Sequence, residues 1–235
     1  MASLITSGDL EILGWLGRHR FASAPQIARW SGRPAKVAYR RLAALRSREL
    51  VAYERPTIDH GVYVATRAGL RLAGLELPAA TVDIRCFHHD RALLDLALEL
   101  DAKGAGLVTE REMRHHDEGA KGRVGESRYG IVLPGGAEHG GLHYPDLIIL
   151  PTDPDSGSGV VAVEVERTAK NRARLERILA GYARARHVAE ARYYVPSRRI
   201  ADYLCRTARA VGADTIVNVV EWDGWSGLPE EARSA

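Results

Sequence analysis

The sequence predicts an α/β protein in two parts: a small helical domain closed by a β-hairpin, then a larger mixed sheet flanked by helices. Three observations carry that expectation. Apolar residues recur at helical spacing in three successive stretches before the first alternating, β-like runs. From residue 143 onward strand-like and helix-like segments alternate, the pattern of a partly parallel sheet covered by its returning helices. The charge also changes sign: residues 1–80 hold 12 Lys and Arg against 6 Asp and Glu, residues 81–235 hold 21 against 24, and the net +3 hides this contrast. A basic module joined to a mildly acidic one points to a polyanionic partner for the first, nucleic acid above all.

The chain of 235 residues is 46% hydrophobic, which suits ordinary globular domains and excludes disorder or a collagen-like repeat. At roughly 100 to 200 residues per domain, one large or two small cores are expected. Cys86 and Cys205 are too few for a disulfide framework or a four-ligand zinc site, so a reducing compartment fits. No uninterrupted apolar run approaches the ~18 residues of a spanning helix, and the first residues lack the basic-then-apolar layout of a secretion signal. A cytoplasmic protein with no membrane partner is expected. The division proposed is a DNA-binding domain at residues 1–78, a second domain at 81–225 and a tail at 226–235, with Pro78, Ala79 and Ala80 as the linker.

In the first domain, Leu10, Leu13 and Leu16 mark a helix over Asp9 to Arg18. Ser23 caps a second, which passes Gln26, Ile27 and Trp30 and stops at Ser31-Gly32. The third starts at Pro34, tolerated in a first turn, and runs to about Arg48. Ala38, Leu42 and Leu45 share one of its faces, while Arg33, Lys36 and Arg40 project nearly opposite. The runs Leu50 to Arg55 and Gly61 to Thr66 then form a hairpin around Pro56, Asp59 and His60. This order is that of a winged helix-turn-helix. Arg33, Lys36, Tyr39 and Arg40 are expected in the major groove of double-stranded DNA, with Arg55 and His60 of the wing along the backbone. A homodimer reading two half-sites is the matching expectation for assembly.

A short helix, Thr66 to Leu75, precedes the linker, and His88 to Ala102 forms a long helix beyond it. A strand is expected near Gly106 to Met113, then loops around one strand at Ser127 to Leu133. His143 to Leu150 and Gly159 to Glu166 form a second hairpin, followed by an amphipathic, basic helix over Ala169 to Ala189. On it Leu175, Ile178, Leu179 and Tyr182 make one stripe and Lys170, Arg174, Arg177 and Arg184 another, with Arg174 and Arg177 as further DNA contacts. Strand Arg192 to Val195, helix Ser197 to Val211 and strand Thr215 to Trp222 complete the sheet.

The second hairpin carries acids where a strand favours valine. Side chains alternate along a strand, so Val161, Val163 and Val165 take one face and Glu164 and Glu166 the other. The hairpin can bring Asp146 beside them. Such a cluster repels itself unless a cation neutralises it, and Mg²⁺ or Mn²⁺ on Asp146 and Glu164 is the natural choice for phosphate chemistry. Other groups have plainer readings. Cys86, His88 and His89 suit a helix start, as do His115 and His116 a surface; Glu110 and Glu112 fit an extension of the acidic site and a solvated strand face equally well, and Asp95 and Glu99 suit an exposed helix turn. No Gly-rich phosphate loop precedes a lysine, and no Ser-His-Asp or Cys-His pattern stands out.

Through Pro145-Asp146 and Glu164-Val165-Glu166 the sequence resembles the PD-(D/E)XK nuclease-like superfamily. The resemblance implies an α/β core in which Asp146 and Glu164 bind Mg²⁺ and a lysine assists the attacking water. Glu166 stands where that lysine belongs, and Lys170, at the start of the next helix, is the relocated candidate; Glu166 is then a further ligand or a proton acceptor. Over most of its length the chain is also similar to the replication-relaxation family of actinobacterial plasmids and integrative elements. The matching stretches are the early helix-turn-helix, His89-Asp90, Tyr144-Pro145-Asp146, and Glu164-Val165-Glu166-Arg167-Thr168 with the helix to Tyr182. That resemblance implies a part in plasmid replication or DNA relaxation, alongside replication or mobilisation proteins. Two functions stay open: Mg²⁺-dependent DNA nicking or cleavage, or a winged-helix regulator whose nuclease-like domain is inactive and only binds.

Overall fold

Capping residues set where the first helices begin. In the computed structural model, which describes residues 4–58, 61–118, 127–135, 141–153 and 157–225, α1 (Ser7–Arg18) starts at a capping box between Thr6 and Asp9. A second box, between Ser23 and Gln26, starts α2 (Ala24–Ser31), and Gly32 ends it at φ 62°, a left-handed conformation that glycine adopts without strain. Helix α3 (Ala35–Arg46) buries Ala38, Leu42 and Leu45, the stripe expected from its spacing. β1 (Val51–Glu54) and β2 (Val62–Ala65) pair antiparallel, and an isolated bridge joins Ala22 to Tyr63. Helix α4 (Arg67–Leu72) lies so close to the start of β1 that a Cβ on Gly69 would meet the Leu50 carbonyl oxygen at 2.1 Å. His60 and the tail at 226–235 lie outside the described residues.

The chain divides into two compact units, Met1–Ala102 and Lys103–Ala235. Helix α5 (Phe87–Ala102) therefore belongs with the first unit, and the division falls after Ala102 rather than at Pro78–Ala80. Its Leu94 and Leu98 join the core made by Leu13, Leu16, Ile27, Leu42 and Leu45. Helical periodicity identifies a buried stripe but not the core that receives it. On the same helix Asp95 is 4% exposed and accepts hydrogen bonds from Gln26 Nε2 at 3.0 Å and Arg29 at 3.2 Å, correcting its reading as a solvated acid.

In the second unit β3 (Leu107–Thr109), β6 (Leu147–Ile149), β7 (Val160–Val165), β8 (Val188–Val195) and β9 (Val217–Glu221) form one sheet in the order β3-β6-β7-β8-β9. β3, β6 and β7 run antiparallel, so the expected hairpin forms; β7, β8 and β9 run parallel, linked by α7 (Arg172–Tyr182) and α8 (Arg198–Ala210). Leu175, Ile178 and Leu179 of α7 and Ile200 and Leu204 of α8 pack with Ala162, Ala191 and Val195 of the sheet. Two expectations are corrected. Glu110 and Glu112 lie on α6 (Glu110–Glu118), not on a strand, because the Glu112 carboxylate accepts from the Thr109 backbone N–H at 2.8 Å and Thr109 Oγ1 accepts from the Glu112 N–H at 3.3 Å. The run from His143 to Leu150 is also not one strand. β5 (Leu142–His143) pairs with β4 (Ile131–Val132), and Pro145, which has no N–H to donate, separates it from β6. No helix among the described residues is long and apolar enough to cross a membrane.

Candidate functional site

The carboxylates are placed by sheet register. Leu147 pairs with Val163 and Ile148 with Ala162, so one step further along the same antiparallel ladder sets Asp146 opposite Glu164. Opposed residues on neighbouring strands point to the same face. Asp146 also reaches the partner strand directly: its Oδ2 accepts a hydrogen bond from the Val165 N–H at 2.7 Å. Glu164 and Glu166 alternate with Val163 and Val165 and are only 3% and 4% exposed, which rules out a solvated acidic strand.

Around these acids the structure gathers three further side chains. Lys170, in the turn before α7, folds back and donates to Glu166 Oε2. Tyr182, fully buried on α7, donates its hydroxyl to Glu164 Oε1 at 2.5 Å, and His143 Nε2 contacts the same oxygen at 2.6 Å. The His143 and Tyr182 rings meet edge to face at 6.0 Å, so the two donors hold Glu164 from separate elements. Tyr193, opposite Glu164 in β8, is wholly buried, and its hydroxyl has no hydrogen-bond partner among the described residues.

Burial and mutual repulsion shape the ionisation of this group. Burial raises the proton affinity of Glu166 above the usual carboxylate range despite Lys170, and Glu164 and Asp146 push it further. Burial works against the charged forms of Lys170 and His143, yet the carboxylates outweigh it: Glu164, Glu166 and Asp146 raise Lys170, and Glu164 with Asp146 raises His143. Burial, then the nearby Glu164, hold the Tyr182 phenol well above its ordinary range. The arrangement is thus a set of carboxylates partly neutralised by one lysine and one histidine. Among the described residues no three His, Cys, Asp or Glu side chains form a ready-made metal cage, so a cation here would rest on one or two carboxylates and water.

The four residues expected to carry chemistry, Asp146, Glu164, Glu166 and Lys170, are thus brought together. His143 and Tyr182 were not anticipated. Tyr182 falls on the apolar stripe of its helix, and nothing in the local pattern separates it from ordinary core.

In the first unit Lys36, Tyr39 and Arg40 are exposed on the side of α3 away from Leu42 and Leu45, with Tyr39 51% exposed. Arg33 lies against the first turn of α1, where its guanidinium would stand 2.7 Å from a Cβ on Gly8. Arg55 donates to the Ile58 carbonyl at 2.6 Å within the β1–β2 connection. In the second unit Arg174 is exposed on α7, and Arg177 donates to the Pro134 carbonyl at 3.2 Å.

No curated protein shows significant similarity to the chain. The replication-relaxation family model matches residues 13–197. That match spans well over half of the sequence, and the protein belongs to the replication-relaxation family.

Proposed function

We propose that the chain is a DNA-binding protein of a plasmid or mobile element. In this reading the first unit is a winged helix that docks on double-stranded DNA, and the second is a PD-(D/E)XK-type domain that nicks or cleaves it with Mg²⁺ or Mn²⁺. The observation that carries the reading is the return of Lys170 from the strand-to-helix turn into the buried group of Asp146, Glu164 and Glu166. It supplies the positive charge missing from the strand position that Glu166 occupies. Support also comes from topology: an antiparallel meander of β3, β6 and β7 is followed by α7 and the parallel β8, with the acids on the two middle steps.

The donor chemistry fits a hard divalent cation, since Asp146 and Glu164 offer carboxylate oxygens from opposed strand positions. When bound, such an ion acidifies water and offsets charge on a phosphodiester. Lys170 sets a second positive charge beside the carboxylates, and Glu166, whose proton affinity is raised by burial and by Glu164 and Asp146, is the candidate proton acceptor. Tyr182 and His143 hold Glu164 in place.

One observation favours the alternative of a binding domain without catalysis. Glu164 Oε1 is already engaged by two donors, and Glu166 is paired with Lys170, so the cluster is largely satisfied within the protein. Incubation of the purified chain with supercoiled plasmid, with and without Mg²⁺ or Mn²⁺, separates the two. Nicked or linear product that requires the cation is expected; plasmid that stays supercoiled with both ions leaves the regulator reading. For the first unit, the double variant K36A/R40A should lose about 1 to 3 kcal/mol of duplex binding per lost contact. Unchanged binding by that variant would remove α3 from the interface.

A further inference from the structure

Helix α8 turns one side to the core and the other to solvent. Ile200, Ala201, Leu204 and Ala208 are buried, which fixes the opposite face outward. Arg199, Arg206 and Arg209 are exposed on that face and fall within about 80° of one another at 3.6 residues per turn. Arg198 shares the face but is committed to Asp202 at 3.1 Å and Glu221 at 3.6 Å. Among the described residues no carboxylate lies within ion-pair distance of Arg199, Arg206 or Arg209.

Helix α8 starts at the end of the sheet that carries the carboxylates. Because β7 and β8 are parallel, with Val165 opposite Tyr194, their C-terminal ends lie at one edge of the sheet, and α8 begins there. Tyr203 of α8 donates its hydroxyl to the Lys170 carbonyl at 3.3 Å, tying the helix to the segment that carries the lysine.

We propose that the exposed face of α8, running from Arg209 through Arg206 to Arg199, is a second track for the DNA backbone. It lays the duplex across the carboxylate cluster, and the proposal rests on the reading of that cluster as a DNA-acting site. The row spans about 15 Å at 1.5 Å per residue, enough for about four phosphates of one strand at a rise of 3.4 Å. Duplex DNA is the occupant rather than a protein partner because none of the large exposed apolar side chains lies on α8, so the face lacks the apolar centre that a protein interface buries.

The test uses the full chain and a short fluorescent duplex, with affinity measured over a series of salt concentrations. Counterion release makes each lost phosphate contact visible in the slope of log affinity against log salt. The triple variant R199A/R206A/R209A should lower the slope by about 2 to 3 and weaken binding at ~0.15 M salt on the order of 10-fold or more, while R199K/R206K/R209K keeps the slope near wild type. A slope unchanged in the alanine triple overturns the track. Should that triple not fold, R206A alone takes its place, with an expected loss of about 1 in slope and the same overturning result. Plasmid nicking by the unaltered chain is scored separately: its absence overturns the nuclease reading, whereas the salt slope alone decides the track.

Discussion

Asp9 with Arg41 in the first unit and Asp146, Glu164, Glu166 and Lys170 in the second are both buried groups of charge, yet only the first pairs one anion with one cation. Asp9 is fully buried and takes Arg41 Nε at 2.7 Å, a second Arg41 nitrogen, and the Thr6 N–H at 2.8 Å and hydroxyl at 2.9 Å. One anion meets one cation, and the remaining lone pairs finish a helix cap. The second group crowds three acids around one lysine and one histidine, and Glu166 responds with a raised proton affinity. A group that is balanced and saturated holds helices together. One that carries surplus like charge at buried strand positions works against stability, the feature on which the proposed catalytic role rests.

Substitution should separate the two groups, with the largest effect in the second unit and on activity alone. D146N and E164Q are each expected to reduce cation-dependent plasmid nicking at least about 100-fold, on the scale seen when one preorganised electrostatic group is removed. Their thermal unfolding should stay near wild type, because each relieves like-charge repulsion. A large drop in melting temperature with nicking retained would reverse the assignment. R41A should behave in the opposite way. It leaves Asp9 buried without its cation, so it should cost about 3 to 5 kcal/mol in denaturant unfolding. An effect under about 1 kcal/mol would show that the Asp9 pair is not the closed structural group its geometry describes.

The same contrast explains what could be read from the sequence. The α3 stripe of Ala38, Leu42 and Leu45 and the paired Glu164 and Glu166 were legible because each follows a local period, 3.6 in a helix and 2 in a strand. Asp146 was found because hairpin pairing limits how far it can stray, whereas Lys170 came from the superfamily resemblance, which implies a lysine relocated onto the next helix. Arg41 with Asp9, and Tyr182 and His143 with Glu164, join residues 32, 18 and 21 positions apart, and no local period encodes those contacts. Helix α5 shows the same limit at the level of domains, because its apolar stripe fits either core. The strand expected over Gly106 to Met113 forms only as Leu107–Thr109, for a different reason: alternating Glu110 and Glu112 looked like a strand face, while Thr109 and Glu112 have the spacing of a helix cap.

Tyr182 tests how tightly the second group is held. Y182F removes one hydrogen bond to a buried carboxylate and leaves the ring packed, so about 1.5 to 3 kcal/mol of stability should be lost. Packing alone would predict no more than that. If Tyr182 positions Glu164, the cation concentration for half-maximal nicking should also rise, and that shift is the readout a purely structural role would not move. An unchanged cation requirement would confine Tyr182 to the core.

The smallest effect is expected from acid, and it should be local to the first unit. Burial pushes the Asp9 carboxyl upward, but hydrogen bonds from Arg41 and Thr6 outweigh it and hold the group below its ordinary 3.8. A carboxylate with a depressed folded-state value binds its proton more readily when unfolded, so its stabilising contribution is complete above the unfolded value. That contribution is lost as pH falls through the folded one. Helices α1 and α3, which carry Asp9 and Arg41, should therefore lose amide-exchange protection as pH is lowered below about 4, the unfolded aspartate value. D9N should blunt that dependence at the same amides, since it removes the titrating group while keeping the Thr6 cap within reach of a side-chain oxygen. Protection in α1 and α3 that declines identically with acid in D9N would assign the acid sensitivity to another carboxylate and leave Asp9 with no titration of its own in this range.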